Sequence, residues 1–181
     1  MKQASPSVRR MLSNRARQRG ASLLEGIAYL GIAALVVLGA VSLLTNAFGS
    51  AKSNQTTEEV VALRTAVRKL YAGQSYNDAN MQANLITARA IPNTLVIAGN
   101  ALSNSWSGVV TVASTAANTF NVTYNNVPQD VCISAVSGAN GWTQIARDAA
   151  GGGAVVAFPV TATAAATLCN AANNTIVFTA N

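Results

Sequence analysis

Residues 21–44 read ASLLEGIAYLGIAALVVLGAVSLL, an apolar run in which Glu25 is the only charged side chain. About 20 such residues suffice to cross a bilayer as a helix. A carboxylate close to hydrocarbon costs a few kcal/mol and seldom stands there without a partner. Glu25 is therefore the residue of this run that hydropathy alone does not explain.

Outward on the N-terminal side, Lys2, Arg9, Arg10, Arg15, Arg17 and Arg19 precede the run with no acid among them. Beyond Gly20 the remaining six basic residues are balanced by six acids, so the net charge of +6 belongs wholly to the first twenty positions. The positive-inside rule keeps that end cytoplasmic and sends everything after Leu44 outside. A nucleic-acid partner is argued against, because no aromatic side chain interleaves the basic residues to stack on bases. Only 10% of the chain is charged, well under the roughly 25% of soluble domains. An apolar span and an uncharged polar surface account for the deficit together.

Between the basic run and the apolar run lie Gly20 and Ala21. A secretory signal places its small-residue cleavage site after the apolar core; here the order is reversed, and cutting after Gly20 removes the charges while keeping the hydrophobic segment. It also creates an α-amino group on Ala21, one helical turn before Glu25. A carboxylate so near a helix start is favoured by the exposed N–H groups and the macrodipole. Amine and carboxylate can pair within one chain or between neighbours, and only the second arrangement assembles anything. There a slipped register would leave buried charges unpaired.

The sequence RQRG followed by ASLLEGIAYLGIAALVVLGAVSLL resembles the leader and N-terminal helix of type IV prepilins. The long leader and a first mature residue other than Phe are similar to the type IVb branch, with its toxin-coregulated, bundle-forming and conjugative thin-pilus pilins. More loosely, GQSYNDANMQANLITARAIPNTLV and FNVTYNNVPQDVC resemble later segments of the same proteins. The resemblance implies cleavage by a prepilin peptidase after Gly20, an N-methylated Ala21 and a docking role for Glu25. It further implies residence in the inner membrane, an assembly platform there as partner, and homopolymerisation into an extracellular helical filament for adhesion, aggregation or cell contact. A minor pilin or a type II secretion pseudopilin shares the same N-terminus and stays open as the alternative.

On the other side of the run, Val60, Leu63, Val67 and Leu70 recur at helical spacing with charged residues on the other faces. The pattern predicts one helix from about Ser22 to Tyr71, about 75 Å long at 1.5 Å per residue. Its centre, TNAFGSAKSNQ from Thr45 to Gln55, is rich in weak helix formers; Gly49 alone costs about 1 kcal/mol. This is the expected bend or melting point. Gly26, Gly31 and Gly39 either allow close helix packing or are simply common in such helices.

After Gly73 the texture changes to Asn, Thr, Ser, Ala and Gly with short β-branched runs. Residues 79–90 suit a short helix ended by Pro92, and Pro128 to Val136 suit another with Pro in the first turn. GVVTVA from Gly108, TFNVTY from Thr119, AVVAF from Ala154 and TIVFT from Thr175 read as strands. The expected class is α+β, the pilin fold of a long helix against a small antiparallel sheet. The expected organisation is a removed leader 1–20, a long helix 21–73 with an apolar half 21–44, and a head 74–181.

Cys132 and Cys169 both fall outside the cytoplasm in this orientation, where a structural disulfide forms readily. Two cysteines without a CxxC spacing or any histidine suit neither redox catalysis nor a zinc site. The lack of histidine, and carboxylates in no recognised spacing, point away from an enzyme. The glycine run at Gly151 has neither a P-loop nor a dinucleotide-fold ending and reads as a turn. No cofactor and no metal are expected.

Overall fold

Ser22 starts the long helix. Its hydroxyl accepts the backbone N–H of Glu25 at 3.2 Å and its carbonyl accepts that of Gly26 at 3.0 Å, so one otherwise orphaned donor of the first turn is satisfied. The computed structural model describes residues 22–148, 153, 155–156 and 158–181. The expected leader, and residues Gly151, Gly152, Ala154 and Ala157 of the glycine run and third strand, lie outside them. The described chain falls into two compact units, one ending at Leu43 and the other running Leu44–Asn181.

Helix α1 spans Leu23–Leu70. Thr45 to Gln55, expected to bend or melt, is helical throughout. Its propensity deficit is offset by the packing that begins at Thr56; the Thr56 and Thr57 hydroxyls are satisfied by the Lys52 and Ser53 carbonyls at 3.0 and 3.2 Å. From there Val60, Leu63 and Val67 are buried, as the helical spacing requires.

They pack into the core of an antiparallel sheet of seven strands in the order β1-β2-β3-β4-β7-β5-β6. The strands are β1 Val96–Ala98, β2 Ala101–Ser103, β3 Val109–Ala116, β4 Thr119–Pro128, β5 Gln144–Ala146, β6 Val155–Val156 and β7 Asn173–Ala180. The C-terminal strand thus lies inside the sheet, paired with β4 on one side and β5 on the other. Phe120, Val122 and Tyr124 alternate inward along β4, and a bulge between Tyr124 and Val127 returns Val127 to the same buried side. One extra residue shifts the pleat by one position, which keeps the apolar phase intact.

Asparagines stitch this head where charges are scarce. Buried Asn104 donates to the Asn125 carbonyl at 2.8 Å and accepts from the backbone N–H groups of Trp106 and Gly108 at 3.0 and 2.8 Å. A Cβ at Gly108 would collide with the Asn125 carbonyl, so the turn from β2 to β3 requires glycine there. Asn125 in turn donates to the Val109 carbonyl and accepts from Thr175, both at 2.9 Å.

Helix α2, Met81–Thr87, matches the expected short helix. Gln82 on it donates to the Asn100 carbonyl and accepts the Val112 N–H at 2.9 Å, standing in for a strand where β2 has ended. Before it, Asp78 accepts from the Tyr71 hydroxyl at 2.6 Å, from Asn84 at 2.8 Å and from the Asn80 N–H at 2.8 Å. The end of α1 is thereby tied to α2. The bond from Tyr71 is the largest cause holding the Asp78 carboxyl below its ordinary value, followed by the Asn80 N–H. In the core, Glu59 accepts from Gln55 at 2.8 Å and from Tyr124 at 3.4 Å. Burial, with Glu59 adding to it, pushes the Tyr124 hydroxyl well up.

Helix α3, Gln129–Gly138, follows Pro128 directly, and α4 spans Ala162–Leu168 with Thr161 accepting the Ala164 N–H at 3.2 Å as its cap. Cys132 on α3 and Cys169 at the end of α4 are joined by a disulfide with Cα atoms 5.8 Å apart. Four elements were not expected from the sequence: β1, β2, β5 and α4. The first two form a hairpin closed by Gly99 and Asn100, with Ala98 opposite Ala101 and Gly99 at φ +60°.

Replacing both cysteines by serine should lower head stability by about 4 kcal/mol in the chain-entropy model, measured by urea unfolding; an unchanged midpoint would mean the bond carries no stability. The lowered Asp78 pKa contributes stability above the unfolded carboxylate value of about 4, and that contribution is lost as pH falls through the folded value. Wild type should therefore melt above Asp78→Asn at pH 7, with the gap narrowing at pH 3.

Candidate assembly surface

The first unit offers a surface with no interior. From Leu23 to Leu43 the large apolar side chains are exposed, among them Leu23 at 85%, Leu30 at 72% and Leu35 at 72%. A helix that is apolar all round belongs in lipid or among other helices. Among the described residues, α1 is the one helix long and apolar enough to cross a membrane. Its stretch from Leu23 to Leu44 rises about 33 Å at 1.5 Å per residue, matching a hydrocarbon core of about 30 Å.

Glu25 lies in the first turn of α1 and is exposed. Its carboxylate accepts the Tyr29 hydroxyl at 3.3 Å, one turn along the same helix. Its backbone N–H is the group that Ser22 caps. Ser22 and Glu25 stand in the S-x-x-E spacing that marks helix starts. Sequence reasoning weighed Glu25 for its charge and passed over this pattern, although the signal was present. Among the described residues the carboxylate holds one weak neutral donor, the Tyr29 hydroxyl.

Gly20 and Ala21, the expected cleavage and methylation positions, lie outside the described residues. Cys132 and Cys169 are brought together in the second unit and are fully buried. They brace the head and are not part of the exposed helix. Gly26, Gly31 and Gly39 each have open space around the position a Cβ would take. Among the described residues, nothing requires them to be small. No group of three or more metal-ligating side chains occurs among the described residues.

The family described as PilS N terminal matches residues 50–181. The fold is similar to the crystal structure of TcpA, a type IV pilin from Vibrio cholerae El Tor biotype, with a TM-score of 0.51. Identity is 16%, and the match covers 72% of this chain and 99% of that one, so it speaks for the fold. Among curated proteins, none matches the sequence significantly.

Because the three glycines touch nothing, Gly31→Leu should leave head stability within about 0.5 kcal/mol of wild type in thermal melts. A larger shift would show that this position contacts the chain's own fold.

Proposed function

We propose, from the premise that the chain belongs to the PilS family and has the type IV pilin fold, that it is the polymerising subunit of a type IVb pilus. The observation that carries this reading is the exposed apolar helix with one carboxylate in its first turn. In the inner membrane, lipid covers the apolar stretch, with the basic residues before Gly20 on the cytoplasmic side. A prepilin peptidase cuts after Gly20, and Ala21 becomes an N-methylated mature terminus. An inner-membrane platform then transfers the subunit into a filament, where neighbouring helices replace lipid around the same side chains. The fibre serves adhesion, aggregation or cell contact.

Glu25 supplies what lipid never needs, an axial register. Apolar side chains pack against one another at many offsets with similar energy, because burial is non-directional. A carboxylate paired with the Ala21 amine of a neighbour accepts one offset. Every other offset leaves two charges out of water and unpaired, at a cost of several kcal/mol per ion. The bond to Tyr29 holds the carboxylate until that amine arrives, and the Ser22 cap keeps the first turn wound beside it.

Glu25→Ala should leave membrane insertion and leader cleavage intact and reduce sheared filaments to less than about 1% of wild type. That reduction corresponds to the roughly 3–5 kcal/mol lost when one partner of a buried pair is removed. Normal filament yield from this variant would refute the docking role. Mass spectrometry of purified filaments should find a chain that begins at a methylated Ala21 and is the main component. Retention of residues 1–20 would refute processing, and a trace amount of this chain would instead favour a minor pilin.

A further inference from the structure

Sorting the charges of the second unit by what they touch separates two groups. Among the acids, Glu59 is bound to Gln55 and Tyr124, and Asp78 to Tyr71, Asn80 and Asn84. Asp148 also has a partner. Glu58 and Asp130 have none among the described residues, and both line one cleft of about 840 Å³ between α1 and α3. Among the bases, Lys52 lies over the Trp106 ring, Arg64 over the Trp142 ring, and Arg147 bonds Asn170. Arg68, Lys69 and Arg89 have no such partner among the described residues, and Lys69 and Arg89 are the charged residues of a second groove, between α1 and the end of α2.

The cleft is built to receive something polar. Its α1 wall is Gly49, Ser53 and Thr57 beside Glu58, and its α3 wall is Asp130 and Ser134. The Asp130 carboxylate stands over Gly49, 4.0 Å from where a Cβ would lie. No cation lines it, so an incoming side chain must supply donors and positive charge. The second groove has the converse character, a floor of Ala62 and Ala66 with Lys69 and Arg89 above it.

Arg89 sits where glycine is the usual residue. Its φ is +53°, its N–H donates to the Ile86 carbonyl at 3.0 Å, and the Ala90 N–H donates to that of Leu85 at 3.0 Å. This is a Schellman termination of α2 with Arg in the left-handed position, which glycine occupies without steric cost. Glycine would take this conformation at no steric cost, so the local backbone does not call for the guanidinium.

Glu58 and Lys69 are eleven residues apart on α1, about 16 Å along the axis. A second copy turned about a fibre axis parallel to α1, and offset along it by about that rise, brings its Lys69 level with the Glu58 of the first. Donor and acceptor lie at different places on the same chain, which gives a heterologous contact that propagates as an open helix.

We infer that the cleft between α1 and α3 receives the Lys69–Arg89 edge of a second copy of this chain, as a charge-paired contact between heads in the fibre. This rests on the fibre reading above and adds to it a contact outside the apolar helices.

The test compares filaments sheared from cells making the full chain as wild type, Arg89→Glu, Asp130→Arg, the double reversal, and Arg89→Gly. Each single reversal should lower filament yield by about tenfold, since like charges then face each other, with mature subunit in the membrane unchanged. The double reversal should recover most of that yield. Arg89→Gly should raise the melting temperature of the subunit while still lowering yield, which a purely structural role would not produce. Wild-type yields from both single reversals, or a double reversal no better than either single, would overturn the inference while leaving the fibre reading intact. Absence of wild-type filaments would instead remove the fibre reading, and the inference with it.

Discussion

Val60, Leu63 and Val67 form the constraint on which the head is built. A helix has one stripe to give to a core, and here that stripe must be matched by a sheet face that stays apolar across several strands. Phe120, Val122 and Tyr124 on β4, Ile176 and Phe178 on β7, and Ile145 on β5 provide it, all fully buried. The bulge in β4 exists because Val127 must rejoin that face after the chain has turned Asn125 and Asn126 toward the β2–β3 loop. The disulfide then ties α3 to the end of α4, immediately before the strand that completes the face.

The buried polar residues of this core, Thr56, Glu59, Asn104 and Asn174, are each bonded to a neutral partner, whereas the Trp142 indole N–H, the Asn121 side-chain oxygen and Arg64 Nε are buried without a hydrogen-bond partner among the described residues. Glu59 between Gln55 and Tyr124, Asn104 in its turn, and Asn174 bonded to the Ala171 backbone at 2.7 Å satisfy donors and acceptors without ion pairs. A head built this way needs few charges for its own fold. Those it carries on its surface are correspondingly conspicuous, and most of them can be assigned to a ring, an amide or a groove.

The first unit is the opposite case. From Leu23 to Leu43 its side chains make no interior, and the character of this stretch is set by what is absent among the described residues: charge, save at Glu25, and any packed neighbour at its glycines. Such a surface is equally at home against lipid tails and against apolar helices. Directionality enters through one carboxylate, which accepts the Tyr29 hydroxyl and stands on a first turn whose Glu25 N–H is capped by Ser22.

Much of this was legible in the chain. The apolar run and its lone Glu25, the stripe continuing to Leu70, strands β3, β4 and β7, helices α2 and α3, and the cysteine pairing follow from periodicity, charge order and cysteine count. The hairpin of β1 and β2 carried a Gly-Asn signal that the neighbouring loop texture obscured, and α4 is an alanine-rich segment whose Thr161 cap is recognised only once its start is known. Thr45 to Gln55, expected from propensity as a bend or melting point, is helical in the single chain, because propensity is a weak prior against nearby packing. The sequence by itself determined the long helix with its apolar run, α2, α3 and strands β3, β4 and β7, because those show in period and hydropathy along the chain. Only the tertiary structure decided that the last strand lies between β4 and β5, that Arg89 occupies a glycine conformation, and that Glu58 and Asp130 share one cleft. Those depend on which distant residues meet, and no local pattern encodes that.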